Sequence, residues 1–289
     1  MQKMTIKRII KAIIPYGIIV FLQKNANKKK KNAFSKTQPF SFKDSENNFH
    51  WTSKSVQRNK LTEIFEPFQP FIFMSTIKRL AGKSTCKVFD IGSNIGIYSL
   101  FSASLQCVDK VFAFEAEESS YKHLIENINE NEMGNKIEAH FVAVSNKNGK
   151  VLFGIRKEMG GDNGILETLI HDKQKYIEKR DIPSISLDSK FNFVNDTIAL
   201  KIDVEGHEEK VINGASNLLK RNKCFIQLEL YKDQGNIISI LNNLGYSMMF
   251  NIGHDHYFSN YEVIIKKEKG IEILTEVMSN IIHSNLSKI

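Results

Sequence analysis

The chain has 289 residues, 42% hydrophobic and 25% charged, enough apolar material for one large domain with appendages or two small domains. Its net charge of +8 is uneven: residues 1–43 hold eleven Lys and Arg and no Asp or Glu, which leaves 29 basic against 32 acidic residues, a net of −3, for 44–289. A near-neutral body speaks against a broad nucleic-acid-binding face, and three scattered cysteines without a CxxC read as reduced core thiols of a cytosolic protein.

In chain order, residues 4–22 set Ile6, Ile9, Ile10 and Ile13 at helical spacing, with Lys3, Lys7, Arg8 and Lys11 opposite. The apolar run 12–22 is about half of the roughly 20 residues that span a bilayer, and Pro15 breaks it. Followed by Lys28, Lys29, Lys30 and Lys31, this arm suits an anionic membrane surface, so residues 1–31 are expected as a peripheral contact at the cytoplasmic face. Packing on the domain or on a partner subunit, or a signal or spanning segment, stand as alternatives. Residues 1–47 form this arm and a polar linker, and 48–84 a helical cap, with a helix near 55–65 and an apolar stretch over 68–77.

A regular alternation starts at Cys86. Residues 87–90 read as a buried strand, 95–105 as a helix, and 110–114 as a strand ending at Glu115. Residues 118–131 follow as a helix with Tyr121, Leu124, Ile125 and Ile128 on one face. A third strand is expected over 137–144 and a hairpin-like partner over 149–155. Residues 156–183, with Gly160, Gly161 and Gly164, form an irregular excursion of the kind that carries function or motion. A strand over 197–203, a helix over 207–221, a strand over 224–230, a helix over 236–244 and strands over 246–252 and 257–265 complete a domain of 85–266; 267–289 reads as a helical tail. Strands alternating with helices imply a mostly parallel sheet, and the last strand pair, lacking a crossover helix, an antiparallel edge strand.

Two segments carry chemistry. Lys201-Ile-Asp203-Val-Glu205-Gly206-His207 closes an apolar strand with two carboxylates two residues apart, where ligands bind in an open α/β sheet. Asp90-Ile-Gly92-Ser93-Asn94-Ile-Gly96 joins a strand to a helix, and Glu115 stands at the tip of the next strand, placed to accept from both hydroxyls of a ribose. Asn94 stands where a dinucleotide loop has its second glycine, which hinders close approach of a pyrophosphate; adenosine plus an amino acid fits better. A dinucleotide and a purely structural loop stand as alternatives.

The segments VFDIGSNIGIYSL, VFAFEAEESSYKHLIENINEN, AVSNKNGKV, ISLDS, IALKIDVEGHEEKVINGASNLL and IQLELY, in that order, resemble the FkbM family of S-adenosylmethionine-dependent methyltransferases over about 88–265. The resemblance implies a Rossmann-like class I methyltransferase fold, an α/β structure with a seven-stranded sheet, and O-methylation of a sugar hydroxyl. It implies S-adenosyl-L-methionine as cofactor, held by Asp90, Gly92, Ser93, Asn94 and Gly96, by Glu115 and Ala116, and by Val144. Lys201, Asp203, Glu205 and Gly206 match the family's hallmark. Ala116 stands where many relatives have Pro, and His207 where many have Ala.

For catalysis the candidates are Asp203, Glu205 and His207, with Glu229 on the adjacent strand tip. Asp203 ranks first; Glu205 is alternatively architectural, holding Lys201 or backbone N–H groups; His207 has the most suitable unperturbed pKa for a base but starts a helix, where a capping or surface role is ordinary. No spacing among them is specific to a metal. The Pro-Pro-aromatic tetrapeptide of amino-methylation and a Pro–Cys pair for cytosine C5 chemistry are both lacking. The expectation is an O-methyltransferase of a surface glycan or lipid-linked glycan precursor, with no nucleic-acid partner; nothing in the sequence sets an oligomeric state. The alternatives are methylation of a small-molecule natural product and a membrane-tethered binding protein without turnover.

Overall fold

The computed structural model describes residues 40–43, 48–51, 69–155, 163–168, 176, 178–231 and 235–261. The basic arm of 1–31, the helix expected over 55–65 and the tail of 267–289 lie outside the described residues. Strands β1 (Phe40–Lys43) and β2 (Asn48–Trp51) pair antiparallel at the expected boundary of linker and cap. The alternation Phe40-Ser41-Phe42-Lys43 has the period of a strand, not of a helix.

Helix α1 (Gln69–Ala81) buries Ile72, Phe73, Ile77 and Leu80 completely. The alternation then runs β3 (Cys86–Ile91), α2 (Ile97–Ser104), β4 (Val108–Glu115), α3 (Glu118–Glu130) and β5 (Ile137–Phe141). Next come β6 (Ala143–Val144), β7 (Gly149–Ile155), β8 (Gly164–Ile165), β9 (Glu178–Ile185) and the short helix α4 (Leu187–Lys190). The chain continues as β10 (Thr197–Ile202), α5 (Glu208–Asn213), α6 (Ser216–Arg221), β11 (Lys223–Glu229), α7 (Gly235–Asn243), β12 (Ser247–Ile252) and β13 (Asp255–Ser259).

Seven strands form the main sheet in the order β12-β13-β11-β10-β3-β4-β5. All run parallel except β13, which is antiparallel to both β11 and β12. The antiparallel strand expected at this edge thus lies one place in from the rim, with β12 outside it. The sheet is otherwise the seven-stranded, mostly parallel Rossmann-like arrangement expected of a class I methyltransferase. Its side chains alternate between two layers: Val88 and Ala199 face α1, α2 and α3, while Phe89 and Leu200 face α5, α6 and α7. Both faces are buried, so these strands read as near-continuous apolar runs. Phe89 is fully buried, with Phe112 and Phe191 each 5.0 Å away, ring centre to ring centre. Each such burial stabilises the fold by about 1.5–3 kcal/mol relative to leaving the side chain in water.

The strand order reverses at β3: the chain adds β4 and β5 on one side and β10 and β11 on the other. A crevice opens at such a switch point, beyond the carboxyl ends of the two central strands. The loop after β3 and the hallmark segment after β10 therefore meet there.

The strand expected over 137–144 is divided. Val142 leaves the main sheet, and β6 joins a second sheet of order β6-β9-β7-β8. The single helix expected over 207–221 is likewise two, α5 and α6, separated at Gly214. A Cβ there would lie 2.0 Å from the Ser145 carbonyl oxygen, so the backbone after β6 presses directly on the break. Cys86 and Cys224 are buried, Cys107 half-buried, and all three are free thiols; burial pushes the Cys224 thiol up to about 12, out of the reactive range. No helix among the described residues is long and apolar enough to cross a membrane.

Candidate active site

Gly92 joins the two motifs. At φ 80° it occupies the left-handed region, and a Cβ would lie 1.8 Å from the Asp203 carbonyl oxygen. The amide of Asp203 in turn donates to the Ile91 carbonyl at 3.0 Å. The amides of Gly92 and Ser93 both donate to Phe114 O at 3.0 Å, so the loop is tied to β4 on one side and to the exit of β10 on the other.

Between them lies a cavity of about 320 Å³, at the small end of the range for ligand sites. Gly92, Asn94, Glu115, Ala116 and Val144 line one part; Asp203, Val204, Glu205, Glu229 and Tyr231 line another. Phe153 and Ile165 of the second sheet, with Asn163 just before β8, also line it, so part of the irregular excursion builds the wall. Five acidic residues line the cavity (Glu115, Glu117, Asp203, Glu205 and Glu229) and, among the described residues, no Lys or Arg lines it.

Glu115 is held by the chain itself. Its Oε2 accepts from the Asn94 amide and its Oε1 from the Glu117 amide, both at 2.7 Å, which fixes the carboxylate at the edge of the cavity. Asn94 sits at φ 50°, a conformation asparagine tolerates. Its Oδ1 is buried without a protein hydrogen-bond donor. Glu117 caps α3, accepting from the amides of Ser119 and Ser120 at 2.9 and 2.8 Å.

Three of the expected cofactor contacts are placed behind the wall. Asp90 is 1% exposed and accepts from Ser99 Oγ at 2.5 Å. Burial raises its carboxyl to about 6, against the pull of that hydrogen bond and of the Lys201 ammonium. Ser93 turns its hydroxyl to Phe114 O at 3.1 Å. Gly96 caps α2, where a Cβ would meet Leu124 Cδ1 of α3 at 2.6 Å, so its close approach is to a helix, not to a strand.

At the hallmark segment, Lys201 is 2% exposed, with its Nζ 3.4 Å from Asp203 Oδ2 and 3.6 Å from Asp255 Oδ1. Burial opposes ionisation of Asp203, but the Lys201 ammonium and a hydrogen bond with Glu229 outweigh it and hold the carboxyl below its ordinary range. Glu229 moves the other way: burial and the charge of Asp203 push its carboxyl well up. The two carboxyls and that of Glu205 have oxygens within 4.8 Å of one another.

Glu205 stands at φ 54°, in the left-handed region where a non-glycine residue is uncommon, and lines the cavity. The backbone N–H groups of the turn are held by another residue: Glu208 Oε1 accepts from Gly206 N at 3.0 Å and from Val204 N at 3.3 Å. His207 does not line the cavity. It is 1% exposed, with Nε2 2.9 Å from Ser145 Oγ and Nδ1 2.8 Å from Thr168 Oγ1. Burial lowers it to about 4, with Lys210 adding to the effect and Glu167 opposing it. A neutral ring bound at both nitrogens and shut off from the cavity is a connector, and the expectation of a general base at His207 does not survive this placement.

Sequence reasoning missed Glu208, Asp255, Tyr231 and Asn163. Only Glu208 carried a signal, an acidic residue in the first turn of a helix next to free amides; the others are single polar residues brought in by the fold.

Residues 90–248, more than half of the chain, match the family described as the methyltransferase FkbM domain. Among solved structures, a methyltransferase FkbM from Methylobacillus flagellatus KT is 14% identical, with a TM-score of 0.44 over 61% of this chain and 44% of that one. The N-terminal domain of human METTL16 in complex with SAH is 16% identical, at 0.39 over 66% of this chain and 69% of that one. M. jannaschii TYW2 in complex with AdoMet is 12% identical, at 0.39 over 78% and 85%. The chain thus matches less than half the length of the FkbM protein of known structure. No curated protein matches it by sequence.

Proposed function

The chain belongs to the FkbM methyltransferase family, and we propose that it transfers the methyl group of S-adenosylmethionine to a hydroxyl oxygen of a sugar, in a surface glycan or a lipid-linked glycan precursor. The observation that carries this reading is the direct contact of the glycine loop with the backbone of Asp203 around one acidic cavity. Among the described residues the lining is acidic, with Glu115, Asp203, Glu205 and Glu229, which suits a cationic sulfonium and an uncharged acceptor.

Glu115 would hold the ribose hydroxyls, its two oxygens fixed by backbone amides, and the unpartnered Asn94 Oδ1 is a further acceptor at the same end. When bound, the cofactor supplies an electrophilic methyl carbon whose bond to sulfur breaks, the electron pair staying on sulfur, as the acceptor oxygen bonds to carbon. Asp203 accepts the hydrogen bond of the acceptor hydroxyl and takes its proton. A carboxylate held at low pKa is a weak base, but an alkylated hydroxyl oxygen is a strong acid, so a late proton transfer needs no stronger one. Orientation then carries most of the rate. Glu205, in its left-handed turn, offers a second oxygen to the same acceptor. The basic arm of 1–31 would lie on the anionic cytoplasmic face of the membrane, where lipid-linked precursors are assembled.

Titration calorimetry with S-adenosylhomocysteine tests the cofactor assignment: binding is expected, and Glu115→Ala should weaken it at least about tenfold by removing a charged hydrogen-bond acceptor. Labelled-methyl transfer to extracted glycans tests the reaction. Asp203→Asn should lower kcat by about 10²–10⁴ with cofactor affinity kept. Binding without transfer to any hydroxylated acceptor would leave a binding protein in place of an enzyme.

A further inference from the structure

Glu229 ends β11, opposite Asp255 of β13 in the strand register. One of its carboxyl oxygens lies within 4.8 Å of an oxygen of Asp203 and of one of Glu205, and carboxyls gathered so closely in a half-buried place are held most easily when one of them carries a proton. The neighbours decide which. The ammonium of Lys201 lies 3.4 Å from Asp203 Oδ2, so the charge belongs there. Tyr231 OH donates to Glu229 Oε1 at 3.2 Å, and the tyrosine ring is stacked on His254 at 4.7 Å between centres.

We propose that Glu229 is a positioning residue that shares a single proton with Asp203: it takes a hydrogen bond from Tyr231 and gives one to Asp203, so that Asp203 meets the acceptor as the ionised member of the pair. Among the described residues, the charged and titratable groups around it are Lys201 of β10 and Asp203 just beyond its end, Asp255 from β13, Glu205 in the following turn, Tyr231 beyond its own strand, and His254 behind the tyrosine. Lys201 is the one cation among these, and it also faces Asp255. Among the described residues, a second full negative charge at Glu229 would have no countercharge of its own in a half-buried place. With one oxygen of Asp203 facing Lys201 and a hydrogen bond coming from Glu229, the carboxylate plane is fixed, which gives the acceptor hydroxyl one direction of approach. The inference rests on the reading of Asp203 as the residue that meets the acceptor.

Infrared difference spectroscopy of the full chain without cofactor or acceptor tests the shared proton directly. At pH 8, above the value to which Asp90 is raised, wild type should show the carbonyl stretch of a protonated carboxyl that shifts in D2O. The band should vanish in Glu229→Gln and move in Tyr231→Phe, which removes the hydrogen bond to it. Should Glu229→Gln not fold, the Tyr231→Phe shift decides alone. In turnover, Gln keeps an N–H for Asp203 and Ala does not, so kcat of Glu229→Gln should exceed that of Glu229→Ala by about 10–100-fold, the worth of a hydrogen bond to a charged group, at similar cofactor affinity. A wild-type spectrum without the band, or a band unmoved by Tyr231→Phe, overturns the proposal, as do equal kcat values for Gln and Ala. Failure of methyl transfer in wild type would sink the enzymatic reading and leave the infrared result standing.

Discussion

His207 makes the stability of this protein depend on pH in a calculable way. The ring is buried and bound at both nitrogens by Ser145 and Thr168, and its pKa falls from 6.5 to about 4, chiefly through burial. The unfolded chain therefore binds a proton at this site more readily than the folded one. Above pH 6.5 both states are neutral here and the site contributes no pH dependence. As pH falls from 6.5 towards 4 the unfolded state gains a proton that the folded state refuses, and stability is lost by about 1.4 kcal/mol per pH unit, reaching about 2 kcal/mol at pH 5 and about 3 kcal/mol below pH 4. His207→Gln keeps an amide able to bond Ser145 and removes the titration. Urea unfolding followed by circular dichroism gives the free energies of both proteins at pH 7.5 and pH 5. Acid effects at other sites are common to the two and cancel in the difference. Wild type should lose about 2 kcal/mol more than the variant over that interval. A gap between wild type and variant that stays constant with pH refutes a buried, neutral His207.

Three further outcomes can be checked. Asp90→Asn should show the opposite sign: the Asp90 carboxyl is raised from 3.8 to about 6 by burial, so its contribution is full below pH 3.8 and lost as pH rises through 6. The variant should then gain about 2–3 kcal/mol on wild type between pH 4 and pH 7.5, read by the same urea titrations. Gly92→Ala forces a methyl group into the Asp203 carbonyl and fixes an unfavourable φ. Calorimetry should show cofactor affinity reduced at least about tenfold, with a loss of about 2–4 kcal/mol in stability. Gly214→Ala meets the Ser145 carbonyl instead, without a positive φ; a thermal melt should show a similar loss of stability, while calorimetry on the folded protein finds cofactor affinity unchanged.

The fold was legible wherever local pattern and tertiary role coincide. Apolar runs ending in Asp90, Glu115, Asp203 and Glu229 marked parallel strands and placed their carboxylates at one end of the sheet. The loop of 90–96 and the segment 203–206 announced themselves because glycines and acids are poor core material. What the sequence hid depends on contacts between distant segments. Nothing in the alternation of 137–144 shows that Val142 leaves one sheet for another, and nothing near Gly214 shows that Ser145 lies against it. Glu205 and Glu208 look alike in the sequence; which of them binds the turn's amides depends on the left-handed backbone at Glu205. His207 looked like a base because its residue type has the right pKa in water, and burial took that pKa away.

The missing side chain at Gly92 has one more consequence. Because the Asp203 carbonyl fills the space where a Cβ would be, the glycine loop and the segment that carries Asp203 touch backbone to backbone. A loop drawn tighter by a bound ligand cannot move without displacing the segment that carries Asp203. If cofactor and acceptor bind on the two sides of that contact as proposed, any coupling between them must be reciprocal: the factor by which the first alters binding of the second is the factor the second returns to the first.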